Sequence, residues 1–438
     1  MRTSTRTGVW AIKSVVLGIA AVLWMGQIGA WGATFTWNGG SAVDGNWNNA
    51  ANWTTAVPVS ANDTDLIFST NTSGLTAVNN IANPFAMRSM TFSAGLPAFV
   101  VGGSALSLNN APREVFQNSS NPVAIGGPLW WGQSQTMSVS GSGTGDLSIG
   151  TLAYNDQGYF RLRSTAAFNL NLGAVTVPGP RTADIYNDMP AGTGKQITIG
   201  AISFTNAATA PTFGLSGVGK TEVTGQLSDS AGGGGRFNFS PSSGGTVLLS
   251  NPAGAFSGTI DGAFQGGGTI DLGGATQAIR DLVYSGANAT NGAVAVRNFH
   301  LDYGTVSIPI SDGAGYNANI VKRDVTNNDS WINTSCTHTG VTRLIASDIT
   351  LQNSGSVNQS SIEFDVVPRN GEDSRLILSN TAANNADRIS DTKPVTMNGG
   401  QLVLIGNGGA ATPEDMGPVT FTRQAAIQVD AAAGGVPV

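Results

Sequence analysis

The chain has 438 residues, 21 basic against 27 acidic, a formal charge of −6 and a pI near 4.9. Only 11% of residues are charged and 40% are apolar, while 59 are Gly and thirty-seven are Asn. This composition excludes a charge-driven disordered chain, a coiled coil, a collagen-like triple helix and a basic nucleic-acid binder; a β-rich, turn-rich protein remains.

Residues 1–32 read as a secretory signal peptide. Arg2, Arg6 and Lys13 charge its start, residues 15–25 are apolar, and Ala30-Trp31-Gly32 offers a small-x-small site with cleavage expected before Ala33. The apolar run is shorter than the roughly twenty residues of a membrane span, so an N-terminal anchor is the weaker reading. No other stretch could cross a bilayer as a helix. Removing the segment takes the formal charge to −9, which repels nucleic acid and anionic lipid. Cys336 is the single cysteine, so no intrachain disulfide forms. The expected location is extracellular or at the cell surface, association with an outer membrane included.

Residues 33–70 carry Trp37, Trp47 and Trp53 among Asn and Gly. They are expected to form an atypical N-terminal cap over an exposed core and unpaired backbone. From residue 71 to 438, Gly, Pro, Asn, Asp and Ser break the chain nearly every ten residues. Between them lie short alternating runs typical of strands with one buried face. They include Leu106-Ser107-Leu108, Leu147-Ser148-Ile149, Leu170-Asn171-Leu172, Ile197-Thr198-Ile199, Val223, Val247-Leu248-Leu249, Ile270-Asp271-Leu272 and Val294-Ala295-Val296. Ile349-Thr350-Leu351, Leu376-Ile377-Leu378 and Leu402-Val403-Leu404 follow. From Leu147 to Val294 the intervals are 23, 27, 26, 24, 23 and 24, and from Ile349 to Leu402 they are 27 and 26. Intervals of 20–30 residues are those of solenoid coils. A parallel β-helix, or β-solenoid, is therefore expected, with Gly and Asn at corners for their tolerance of positive φ. A β-sandwich is the alternative.

Several segments resemble secreted bacterial proteins with autotransporter-associated β-strand repeats. Thr36-Trp37-Asn38-Gly39-Gly40, Gly45-Asn46-Trp47, Ala51-Asn52-Trp53 and Asp65-Leu66-Ile67-Phe68 resemble their usual start after the signal. Gly244 to Ser250, followed by Ala255 to Ile260, resembles the repeat itself. The late block Asp387-Arg388-Ile389-Ser390-Asp391, Val395 to Leu402, Glu414 and Gly417 is also similar to the family. The resemblance implies a parallel β-helix passenger of adhesive or structural use, without a common active site. Neither a C-terminal membrane barrel nor a sorting segment is recognised before Val438, so the repeat region is expected to be incomplete at that end.

Candidate chemistry competes poorly with structural readings. Gly214-Leu215-Ser216-Gly217-Val218-Gly219-Lys220-Thr221 fits the P-loop pattern, but that chemistry needs a strand before and a helix after. Here Pro211 precedes and strand-like Val223 follows. Cys336 and His338 would share a strand face, and with His300 they fall short of a zinc site. Asp261, Asp271, Asp281 and Asp302 near Arg280 and Lys322 could be gathered by stacked coils into an acid/base cluster; separate solvent-facing charges are the preferred reading. Gly266 to Asp271 is one calcium-type nonapeptide where consecutive copies are needed. No cofactor or metal is expected. Trp130 and Trp131 are candidates for stacking on sugar rings, pointing to opposite faces of a strand. The expected function is a non-enzymatic passenger at the cell surface, with surface glycans or other extracellular polymers as partners. The alternative is a carbohydrate-binding or carbohydrate-active extracellular β-helix.

Overall fold

A computed structural model describes residues 33–131, 136–154, 160–178, 182–205, 211–229, 234–323, 329–365 and 374–431. The signal-peptide segment lies outside them. Among the described residues no helix is long and apolar enough to cross a membrane.

Short alternating runs interrupted by Gly and Asn cannot bury an apolar face alone, so the chain winds and stacks them. The result is a β-solenoid whose strand ladders are parallel. The first face begins Thr34–Trp37, Asp65–Phe68, Ser89–Phe92 and Glu114–Gln117, each paired in register with the next. It continues through Phe160–Ser164, Thr182–Asn187, Thr212–Gly217, Arg236–Pro241 and Asp261–Gln265. Asn319–Lys322, Val341–Leu344, Ser361–Asp365, Val395–Asn398 and Val419–Phe421 lie further along it. The second face follows in each turn, for example Lys220–Val223, Thr246–Leu249 and Thr269–Asp271. A third carries Phe85–Met87, Leu106–Leu108 and the later halves of Val123–Trp131, Leu147–Tyr154 and Leu170–Val177.

Alternation along each strand sends every second side chain inward. Leu66 and Phe68 are fully buried near the start of the first face, and Ile185, Leu215, Phe239, Phe264 and Tyr284 are fully buried on five successive turns further along it. Their rings stack from turn to turn, with Phe239 5.9 Å from Phe264 and Tyr284 5.6 Å from Phe299.

Along the second face, Leu147, Leu170, Ile197, Thr221, Val247, Ile270 and Ala289 are successive register partners. Two strand positions expected in this row belong elsewhere. Val223 pairs one residue pair further on, with Ile199. Val294 pairs with Gln277 and Ile310, because the coils shorten after Ile270. Leu106 lies on the third face, with Phe85 and Leu129. Ile349, Leu376 and Leu402 are partners as their spacing predicts.

The N-terminal end is closed by its own chain. Residues 52–54 run antiparallel along the outer edge of Thr34–Trp37: Trp53 bridges Trp37, and the Thr54 amide donates to the Thr36 carbonyl at 2.9 Å. Trp37, Trp47 and Trp53 are buried and pack edge to face, 5.2 Å for Trp37–Trp53 and 5.8 Å for Trp47–Trp53. Buried Asn52 ties the loop by accepting from Ser41 N and donating to the Asp44 and Asn46 carbonyls. Asp65–Phe68, expected within the cap, is itself a rung, paired on both sides. At the other end, Phe421, Ile427 and Val429 are exposed at 52%, 41% and 56%.

Corners are built in two ways. Gly126, Gly150, Gly173, Gly200 and Gly225 form a column between the second and third faces. A Cβ on Gly173 would fall 2.4 Å from the Gly150 oxygen, and one on Gly200 2.0 Å from the Gly173 oxygen. Elsewhere buried amides satisfy turning backbone. Gln117 Nε2 donates to the Asn121 and Gly145 carbonyls, and Asn187 Nδ2 to the Lys220 carbonyl. The expectation that Asn serves by positive φ is corrected: among the described residues only Asn291 and Asn353 adopt it. Most corner asparagines act through their side chains.

Gly200→Ala is expected to lower stability by about 1–3 kcal/mol through backbone overpacking. Gly95, with open space around its Cα and no positive φ, should tolerate Ala within about 1 kcal/mol. Urea midpoints of the two variants decide this; equal shifts would remove the column as a packing constraint.

Candidate functional site

Outward residues of the first face stand in rows, since parallel in-register rungs align every second side chain along the stack. One row runs Arg161, Asp184, Gly214, Asn238 and a second runs Arg163, Tyr186, Ser216, Ser240. Between and beside them lies a cleft of about 430 Å³, bounded at its far rim by Gly266 and Gly267. Gly214 interrupts the first row with bare backbone. A Cβ there would fall 2.2 Å from Asp184 Oδ1, so the carboxylate leans over that gap. Arg161 Cζ stands 4.7 Å from the centre of the Tyr186 ring, a cation–π distance, and its guanidinium is 3.8 Å from Asp184. Asn238 Oδ1 is buried and has no hydrogen-bond partner.

Further along the same face the charges are tied in pairs. Arg280 bonds Asp261 at 2.8 Å, Arg297 bonds Asp281, Arg323 bonds Asp302 at 2.8 Å and Arg343 bonds Glu363 at 2.7 Å. Each links neighbouring turns. Pairs this exposed contribute ~0–1 kcal/mol apiece. The acid/base cluster is thereby dispersed into staples. Asp271 is on the second face, bonded to Gly273 N and Asn291 Nδ2. Lys322 points into the core, its ammonium on the Asp302 carbonyl.

The other sequence candidates resolve as follows. Trp131 is wholly buried and stacks on Tyr154 at 5.4 Å, which corrects its candidacy for sugar stacking. Trp130 is its half-buried outward neighbour, on the third face rather than at the cleft. The P-loop pattern spans the end of strand Thr212–Gly217, a corner and strand Lys220–Val223. Its Gly219 amide donates to the Asn187 carbonyl. Cys336 and His338 are both buried. His338 Nε2 meets Thr342 Oγ1, which meets Ser360 Oγ, each at 2.9 Å. Burial pushes the Cys336 thiol up to about 12 and holds the His338 imidazole down at about 4, against a small opposing pull from Asp312. Among the described residues no group of three or more His, Cys, Asp or Glu could hold a metal. Gly266 to Gly268 form the corner before Thr269–Asp271.

The late block that carried the family resemblance has a packing role. Arg388 is fully buried, and its guanidinium engages Asn380 Oδ1 and the carbonyls of Gly355, Asn353, Ser379 and Ala383 at 2.7–3.1 Å. Glu414 Oε1 accepts from the amides of Arg388 and Ile389, both at 2.9 Å, and burial raises its carboxyl to about 7.

The cleft residues escaped sequence reasoning. Each occupies the polar half of an ordinary alternating strand, and only the register, which advances by unequal steps, brings them side by side. The one signal was Gly214 where its row otherwise carries side chains, and the P-loop resemblance disguised it. Comparisons with family models, with curated proteins and with solved structures give no match.

Two outcomes follow from the buried groups. His338 must fold uncharged, so its contribution is complete above its unfolded value near 6.5 and is lost as pH falls toward 4, on the order of 3 kcal/mol. Protonation of Glu414, whose carboxyl is raised to about 7, acts in the opposite sense over the same window, so the readout is the difference: from pH 6.5 to 4 the wild-type melting temperature should drop relative to that of His338→Gln, and a constant gap between the two would contradict this. Arg388→Met strands several buried carbonyls and should destabilise the last turns by at least ~3 kcal/mol. Limited proteolysis should then cut within residues 374–431 before the rest of the stack.

Proposed function

We propose that the chain is an exported, non-enzymatic β-helical passenger-type protein that holds extracellular polymers at the cell surface, in an adhesive or structural role. One observation carries the reading: beyond the cleft, four Arg–carboxylate pairs tie neighbouring turns of the first face. They brace a long repetitive surface instead of converging on one reacting centre. The signal-like start and the resemblance to passengers with autotransporter-associated repeats support export. A long stack of parallel rungs offers many weak contacts along its length, so avidity arises without any single tight site.

The carbohydrate-binding alternative draws support from the polar cleft lined by Arg161, Asp184, Tyr186 and Asn238. The purified protein should be depleted from solution by insoluble polysaccharides or whole cells, with no release of reducing ends. Expression with its native start in a bacterial host should give an exported chain beginning at Ala33. Turnover of any polymer, or retention of residues 1–32 in the cytoplasm, would overturn the proposal.

A further inference from the structure

We propose that Glu414 is a proton-operated latch between the last two described turns, holding them together when its carboxyl is neutral and loosening them when it is ionised. The latch is independent of what the surface binds. Glu414 lies in the connection between strands Gln401–Ile405 and Val419–Phe421. Its Oε1 accepts the amides of Arg388 and Ile389 in the turn beneath, both at 2.9 Å. Oε2 of the same carboxyl is enclosed and has no hydrogen-bond partner, the one carboxylate oxygen in that condition among the described residues. An enclosed amide or hydroxyl without a partner costs the fold the same at every pH. A carboxylate oxygen differs, because ionisation places charge on it, and charge withdrawn from water is far costlier than a neutral polar group.

The surroundings do little to offset that charge. Arg388 is the buried cation of the facing segment, yet its guanidinium is committed to Asn380 Oδ1 and to the carbonyls of Gly355, Asn353, Ser379 and Ala383. Glu414 receives only its backbone amide. Asp387 beside it adds repulsion. Asp391 and Lys393 on the facing segment, and Asp415 on Glu414's own, are exposed. Residues 353–360, 379–386 and 405–413 carry no charged side chain. Burial is accordingly the largest influence on the carboxyl and raises it to about 7, against the lowering by the two amides and by Arg388.

Position gives the latch its leverage. Between Asn407 and Gly417, the two bonds of Glu414 and one from Asn384 Nδ2 to the Ala411 carbonyl at 3.2 Å join the connection to the turn beneath. Strands Val419–Phe421 and Ala426–Asp430 beyond it pair on one side only among the described residues. In a stacked array a turn held from one side opens before the interior does. Opening hands the carboxyl to water, where its ordinary value is 4.5. The closed form therefore binds a proton that the open form releases. Closure is strongest below 4.5 and is lost as pH rises through about 7.

Hydrogen–deuterium exchange on the full chain tests this at about pH 5 and pH 8, read as protection factors so that the intrinsic pH dependence of exchange cancels. Protection over residues 386–421 should fall at least tenfold, to order of magnitude, from the lower pH to the higher. Glu414→Gln keeps an oxygen for both amides and carries no charge, so its protection should not change between the two. His338 lies in an earlier turn and gains stability as pH rises, so it cannot produce this loss. Unchanged wild-type protection, a result that needs no variant to fold, overturns the latch. So does a Glu414→Gln chain that retains the wild-type fall.

Discussion

In a parallel stack each rung's backbone N–H and C=O groups point along the axis, and only the adjoining rungs can satisfy them. Every other feature of this protein answers to that requirement. Because partners are held in register, the inward set of one rung lies on the inward set of the next, and Phe239 meets Phe264 as Tyr284 meets Phe299. A substitution that slipped one rung by a residue would expose its whole apolar set at once. Among the described residues the rung Thr34–Trp37 has no earlier parallel neighbour, and residues 52–54 cover its edge by folding back antiparallel along it. That reversal ends the parallel ladder, while the buried Trp37, Trp47 and Trp53 close the core beneath it.

Corners are where the ladder is most easily broken, and the chain spends its unusual composition there. In the glycine column the backbones of successive turns approach so closely that a methyl group would overlap a carbonyl oxygen. Where the backbone turns away from its partners, a buried amide such as Gln117 or Asn187 replaces the lost hydrogen bonds. Arg388 extends the same solution. Its guanidinium serves backbone carbonyls from several corners, while Glu414 caps the two amides that follow. Burying a cation without a full counter-charge is costly, and the carbonyl dipoles around it offset that cost.

The sequence exposed the periodic part of this architecture and concealed the rest. Leu147, Leu170 and Ile197, or Ile349, Leu376 and Leu402, could be placed because alternation and interval agree there. Val294 was misplaced because coil length is not constant: Asp281 is tied to Asn298 across only 17 residues, whereas Asp65 reaches Ser89 across 24. Interval counting has no means of detecting such a step, since a shorter coil presents the same alternating pattern. Trp131 and Trp130 differ by one residue and so by face, which alternation foretells, but which of them is buried depends on Tyr154 lying beneath. The cleft was illegible for a related reason. Arg161, Asp184 and Asn238 are ordinary outward residues until a register advancing by unequal steps aligns them.

A solenoid of this kind separates stability from recognition along each strand. Inward positions are constrained by the rungs on either side, while outward positions of the same strand are free to vary without disturbing the ladder. On the first face the outward rows divide the work by region. From Asp261 onward they hold Arg–carboxylate pairs across turns, so charge is neutralised locally and the surface is mechanically continuous. Over strands Thr182–Asn187 to Arg236–Pro241 the arrangement differs: the Asp184 carboxylate fills the space over Gly214, and Arg161 lies against the Tyr186 ring.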